Sequence, residues 1–116
     1  VETAMEVYAK HKNSRISPVR ARKVAAMVRR KDLETAYAIL KALPQKGARL
    51  IYKVLHSSAA NAVHNYQMDE SKLYIKRILI DEATPYRRVL PRAMGRADIM
   101  KRRNSHITVF VDEREE

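Results

Sequence analysis

The chain has 116 residues, enough for one domain, and carries 24 Lys and Arg against 13 Asp and Glu, a formal charge of +11. Such a field repels itself in the free protein and attracts polyanions, nucleic acid first and an anionic membrane surface second. With no cysteine there is no disulfide or thiolate metal site, no run of 18 apolar residues can span a bilayer, and no secretory signal or transit peptide is visible.

Taken in chain order, residues 3–9 alternate loosely, with Met5, Val7 and Ala9 on one side, and predict a first strand. From Lys10 to Lys31 there are nine Lys and Arg and no acid. Within that run, Ser17 and Pro18 read as the N-cap and first position of a helix reaching about Arg30. Ala21, Val24, Ala25 and Val28 form its narrow apolar stripe. Arg29 to Lys31 suit a helix C-terminus, whereas Lys10, Lys12, Arg15, Arg20, Arg22 and Lys23 fall before or early in the helix, where the macrodipole disfavours cations. Those six are candidate nucleic-acid contacts.

Asp32 can cap a second helix with Leu33, Ala36, Tyr37, Leu40 and Leu43 at helical spacing, ended by Pro44. A third helix is expected from Gln45 to Tyr66, with Leu50, Ile51, Val54, Leu55, Ser58, Ala62 and Tyr66 on one face. The small residues from Ser57 to Ala62 would let a sheet or helix approach closely, making this the central helix. A second strand follows from Leu73 to Asp81. Its run Ile78-Leu79-Ile80, apolar on both sides, suits a middle strand with one face under helices. The last strand, Ile107 to Val111, alternates cleanly, and the tail from Asp112 reads as solvated.

Between these two strands, Pro85 to His106 holds seven Arg and Lys against one acid, and a Pro/Gly turn at Pro91 to Gly95. This reads as a hairpin whose arms, about ten residues each, reach roughly 33 Å. A compact domain of this length is about 35 Å across, so the body cannot cover such an arm. Its apolar residues, Val89, Leu90, Met94, Ile99 and Met100, are interrupted by guanidinium groups, and an isolated hairpin is marginal in water. A polyanion must therefore hold it. Arg87, Arg88, Arg92, Arg96, Lys101, Arg102 and Arg103 are its candidate contacts; six of the seven are Arg, whose planar fork chelates phosphate and stacks on bases. Tyr86 can stack on a base or pack at the hairpin base. The fold class is α+β: three helices on a small three-stranded antiparallel sheet, with a long protruding basic β-hairpin. The expected division is a single domain, 1–116, with a body at 1–80 and 107–116 and an arm at 81–106.

Catalysis finds no support. His64 lies about 10 Å along the helix from Ser57, beyond relay distance, and His56 and His64 are too far apart for one metal ion. No catalytic residue, metal ligand or cofactor site is expected, and the histidines read as surface or phosphate-contacting groups.

Val89-Leu90-Pro91-Arg92-Ala93-Met94-Gly95-Arg96-Ala97-Asp98, followed by Lys101-Arg102-Arg103-Asn104-Ser105-His106-Ile107-Thr108-Val109, resembles the signature of the large-subunit ribosomal protein twenty-two family in its bacterial form. Ser58-Ala59-Ala60-Asn61-Ala62 with Asn65, and Arg15-Ile16-Ser17-Pro18 with Arg22-Lys23-Val24, agree with its helix motifs. Departures are Ala83-Thr84-Pro85 where Gly-Pro is frequent, Met94 where Lys is frequent and Asn104 where Thr is usual. The resemblance implies a cytoplasmic protein of the large ribosomal subunit that binds large-subunit rRNA, supports assembly and touches neighbouring ribosomal proteins. It implies that Ser105 and His106 of the same motif join the rRNA contacts. It further implies that Val89, Leu90, Pro91, Arg92, Ala93, Met94 and Gly95 line the nascent-polypeptide exit tunnel, opposite protein four, where arm changes alter macrolide susceptibility. Two other readings stand beside it. One is a DNA-architectural protein inserting a basic β-arm. The other, a peripheral membrane protein, ranks low because the first helix lacks bulky apolar anchors.

Overall fold

The computed structural model describes residues 7–83, 86–91, 97–102 and 104–114, with the strands at 86–91 and 97–102 described by their backbone. Its elements run β1 (Val7–Ser14), α1 (Pro18–Val28), α2 (Leu33–Ala42), α3 (Lys46–Tyr66), a 3-10 turn (Glu70–Lys72), β2 (Leu73–Glu82), β3 (Tyr86–Pro91), β4 (Ala97–Arg102) and β5 (Ser105–Glu113). The fold is α+β. Three helices pack on a three-stranded antiparallel sheet, and β3 and β4 form a separate two-stranded antiparallel sheet. The radius of gyration is 17.4 Å, with extents of 67 × 30 × 20 Å. A compact chain of this length would have about 13 Å.

The helix periodicities hold. Ala21, Val24, Ala25 and Val28 of α1 are all buried, as are Leu33, Ala36 and Leu40 of α2. In α3, Ser58, Ala59 and Ala62 are buried, which brings the helix axis close to the sheet. The Ser58 hydroxyl donates to the Val109 carbonyl at 3.1 Å, so the buried polar atom is satisfied by β5 itself. Asn61 Nδ2 donates to the Tyr8 carbonyl at 3.1 Å and ties the same helix to β1. Near its start, α3 presses on α1: a Cβ at Gly47 would lie 2.9 Å from Ile16 Cδ1 and 3.3 Å from Val24 Cγ2. A side chain at Gly47 would have to push aside the Ile16 δ-methyl and press on Val24. Tyr66, assigned to the apolar face of α3, is 39% exposed, because the helix outruns the sheet at that end.

The strand order departs from expectation. It is β1-β5-β2, so the middle strand is β5 and the apolar-on-both-sides β2 lies at an edge. Burial gives the reason. Ile107, Val109 and Val111 of β5 face the helices, while Thr108 and Phe110 on its other face are also buried. The Tyr8 ring, with centroids 5.3 Å apart, and the Arg77 guanidinium, 4.3 Å from the ring centroid, cover Phe110. Leu79 of β2, by contrast, is 40% exposed.

The first strand also shifts. Of the expected span 3–9, residues 3–6 lie outside the described residues, and β1 continues to Ser14 through Lys10, His11 and Lys12. Its register with β5 breaks between His11 and Ser14, and Asn13 there has φ 58°. A bulge of this kind with outward lysines is a usual way to end pairing at a sheet edge. Neither expected N-cap makes a side-chain cap: the carbonyls of Ser17 and Asp32 accept from Ala21 and Ala36, while their side-chain oxygens do not bond the helix start. Asp32 instead meets Arg114 Nε at 2.8 Å. Arg114 also lies 4.5 Å from the Tyr74 ring centroid and donates to the Arg30 carbonyl at 2.6 Å. The C-terminal segment is therefore tied to the α1–α2 junction rather than solvated along its length.

Candidate nucleic-acid interface

Each helix dipole puts partial positive charge at its N-terminus, where acids are favourable and cations are not. The helix α2 obeys this rule, with Glu34 in its first turn and Lys41 in its last. The other two break it. The first turns of α1 and α3 contain no acid; Arg20 on α1 and Lys46 and Arg49 on α3 lie in those first turns, and Arg22 and Lys23 follow in the second turn of α1. Among the described residues, no acid is ion-paired with these cations. An external anion at these helix starts would offset the unfavourable placement.

Lys10, Lys12, Arg15, Arg20, Arg22 and Lys23 are all exposed. They do not share one role. Arg22 Nη2 donates to the Ile80 carbonyl at 2.9 Å, and Arg29 Nη2 to the Ile78 carbonyl at 3.4 Å. These side chains, two helical turns apart, reach the outer edge of β2. The Ile75 N–H donates to the Lys31 carbonyl at 3.0 Å, and Asp32 forms an isolated antiparallel bridge to Tyr74. The α1–α2 segment thus closes the edge of β2 along most of its length. Arg29, expected to complement the end of its own helix, is spent on the sheet.

The opposite edge is different. Between β1 and the first half of α3 lies a cavity of about 440 Å³. Lys10, Arg15, Lys46 and Lys53 surround it, and Ala9, Leu50 and Val54 contribute its apolar surface, with His11, Asn13 and Ser57 completing the lining. No acid lines it. Among the described residues none of the four cations is ion-paired. Lys46, Arg49 and Lys53 were not among the residues singled out from sequence. The available signal was the missing first-turn acid of α3, which an apolar-face reading passes over.

The hairpin contributes Arg87, Arg88, Lys101 and Arg102 along β3 and β4, where Tyr86 pairs with Arg102, Arg87 with Lys101 and Arg88 with Met100. The register therefore places two basic positions, Arg87 and Lys101, opposite each other. Val89, Leu90 and Pro91 are in β3. Arg92, Ala93, Met94, Gly95, Arg96 and Arg103 lie outside the described residues.

One expected contact is corrected. Ser105 is fully buried, and its hydroxyl donates to the Ile16 carbonyl at 2.7 Å, so it joins β5 to the entry of α1 and cannot reach a partner. His106 is partly exposed, and its Nδ1 accepts from the Asn13 N–H at 3.1 Å, leaving Nε2 to carry the ring proton in the neutral form. The other three histidines, His11, His56 and His64, are exposed. No helix among the described residues is long and apolar enough to cross a membrane, and no metal-binding cluster is found among them.

Cations without ion-pair partners among the described residues on one sheet edge, two helix starts charged against their dipoles and a basic strand pair together make a surface whose charge suits a polyanion. Residues 9–112 match the family model described as ribosomal protein L22p/L17e, and the chain belongs to that family. It is 50% identical over 109 residues to the large ribosomal subunit protein uL22 of Thermomicrobium roseum, covering 94% of this chain and 92% of the relative. The protein of the same name from Desulforamulus reducens is 48% identical over 112 residues, covering 97% and 99%. That of Thermus thermophilus is 49% identical over 110 residues, covering 95% and 97%.

Proposed function

We propose that this chain is a structural, non-enzymatic constituent of the large subunit of cytoplasmic ribosomes, held by large-subunit rRNA. The observation that carries the reading is the charge on α1 and α3, set against both helix dipoles with no acid in either first turn. Phosphate is common to RNA and DNA; membership of a ribosomal protein family is what favours rRNA over a DNA-binding β-arm. Lys10, Lys12, Arg15, Arg20, Lys23 and His106 contact rRNA from the body, with one face of Arg22 shared between rRNA and β2. Arg87, Arg88, Arg92, Arg96, Lys101, Arg102 and Arg103 do so from the arm. The arm runs between rRNA segments, which replace the core it lacks, and residues 89–95 at its tip line the passage of the nascent polypeptide, near protein four.

Tagged protein expressed in cells should co-sediment with large subunits and stay bound through a high-salt wash. Recovery only at the top of the gradient would refute the assignment. Deleting residues 91–95 should leave the body folded while changing macrolide susceptibility; an unfolded product would refute the division into body and arm.

A further inference from the structure

The cavity beside β1 combines two features that a groove for phosphate alone would not need. Its rim is cationic, from Lys10, Arg15, Lys46 and Lys53, and its interior is aliphatic, from Ala9, Leu50 and Val54. Its volume, about 440 Å³, falls in the range of roughly 300–1,000 Å³ typical of sites that enclose small-molecule-sized groups. A backbone phosphate needs charge but no apolar wall, and a helical RNA surface is too broad to enter. An unstacked nucleotide has both parts: a flat apolar base and a phosphate on either side. Proteins that read RNA generally take such bases from loops and bulges.

We propose that this groove seats a single unpaired nucleotide of rRNA, its base against Leu50 and Val54 and its flanking phosphates on Arg15, Lys46 and Lys53. The proposal rests on the rRNA reading above and adds a site to it. Ser57, exposed and on the groove wall, offers a hydroxyl within the same space, able to donate or accept toward a base edge. The groove joins segments more than 30 residues apart, so it exists only in the folded body and does not depend on the arm.

The test uses the full chain and two single-stranded RNA pentamers with equal phosphates, one with bases and one abasic, compared by fluorescence anisotropy at low salt. The base-bearing pentamer should bind roughly fivefold tighter, about what burying some 40 Å² of apolar base surface against Leu50 and Val54 contributes. Ser57→Leu, which fills the groove from an exposed helix position without adding a ring for a base to stack on, should erase that difference and leave abasic binding unchanged. Leu50→Gln should reduce it with the groove still open. Equal binding of the two pentamers, or a difference that survives Ser57→Leu, would overturn the nucleotide site. If large-subunit rRNA still binds specifically, only this site is lost; if it binds no better than transfer RNA, the rRNA reading falls with it.

Discussion

The two edges of the body sheet are built from the same residue type and put it to opposite use. At β2, Arg22 and Arg29 reach across from α1 and donate to the carbonyls of Ile80 and Ile78. At β1, Lys10, Arg15, Lys46 and Lys53 surround a groove and find no internal acceptor among the described residues. One edge is closed by its own chain, and the other presents cations to whatever anion arrives. The difference teaches that a count of Lys and Arg measures the strength of a field, not its destination. A guanidinium that caps a strand is a structural group, whatever its sign.

Four measurements would break or sharpen this contrast. The largest effect is expected from Gly47→Val, which forces branched carbons toward Ile16 and Val24. It should cost about 1–3 kcal/mol in denaturant unfolding and shift the Lys46 rim without changing any charge. Unchanged stability would mean that α1 and α3 have room to spare.

The double variant Lys10→Ala/Lys53→Ala should weaken rRNA binding about tenfold and lower the salt slope by about two, with the thermal midpoint unchanged. A large drop in midpoint would place these cations on the structural side of the comparison.

Arg22→Ala should lose about 1 kcal/mol of stability, since a charge-assisted bond to a part-buried carbonyl disappears. Lys23→Ala, its neighbour, should leave stability intact and lower the salt slope by about one. If both behaved alike, the division of labour on α1 would be wrong.

The smallest effect lies away from both edges. Burial, then the neighbouring Tyr52 and Glu70, push the Tyr37 hydroxyl up from 10.0 to about 12. The folded state therefore favours the protonated phenol. That contribution to stability is complete below pH 10 and is lost as pH rises toward 12. Tyr37→Phe should flatten the fall in stability across that window, as followed by urea midpoints; an unaltered pH profile would rule Tyr37 out as its source.

Much of this molecule is local and was readable as such. The stripe Ala21, Val24, Ala25 and Val28 repeats at the helical period because those side chains meet one apolar surface, and all four are buried. Pro18 marks the start of α1, and the small residues around Ser58 signal close approach by another element. The turn was expected at Pro91 to Gly95; β3 and β4 do pair antiparallel, but Pro91 belongs to β3, and residues 92–96 lie outside the described residues. Strand order was not readable. The run Ile78-Leu79-Ile80 suggested a middle strand, yet the covering of Phe110 by Tyr8 and Arg77 put β5 there. Nothing within either strand encodes which neighbour will shield its second face. Ser105 was misassigned for a similar reason: its acceptor, the Ile16 carbonyl, is 89 positions away.

By itself, then, the sequence determined the helices, the sign of the charge and its concentration around β3 and β4, because each depends on residues within a few positions of one another. Tertiary structure alone decided which strand is central, which arginines are consumed at β2 and where Arg15 meets Lys46 and Lys53 around a groove. Those outcomes depend on distant backbone groups competing for the same donors and the same covering surface, and that competition is settled only when the whole body packs.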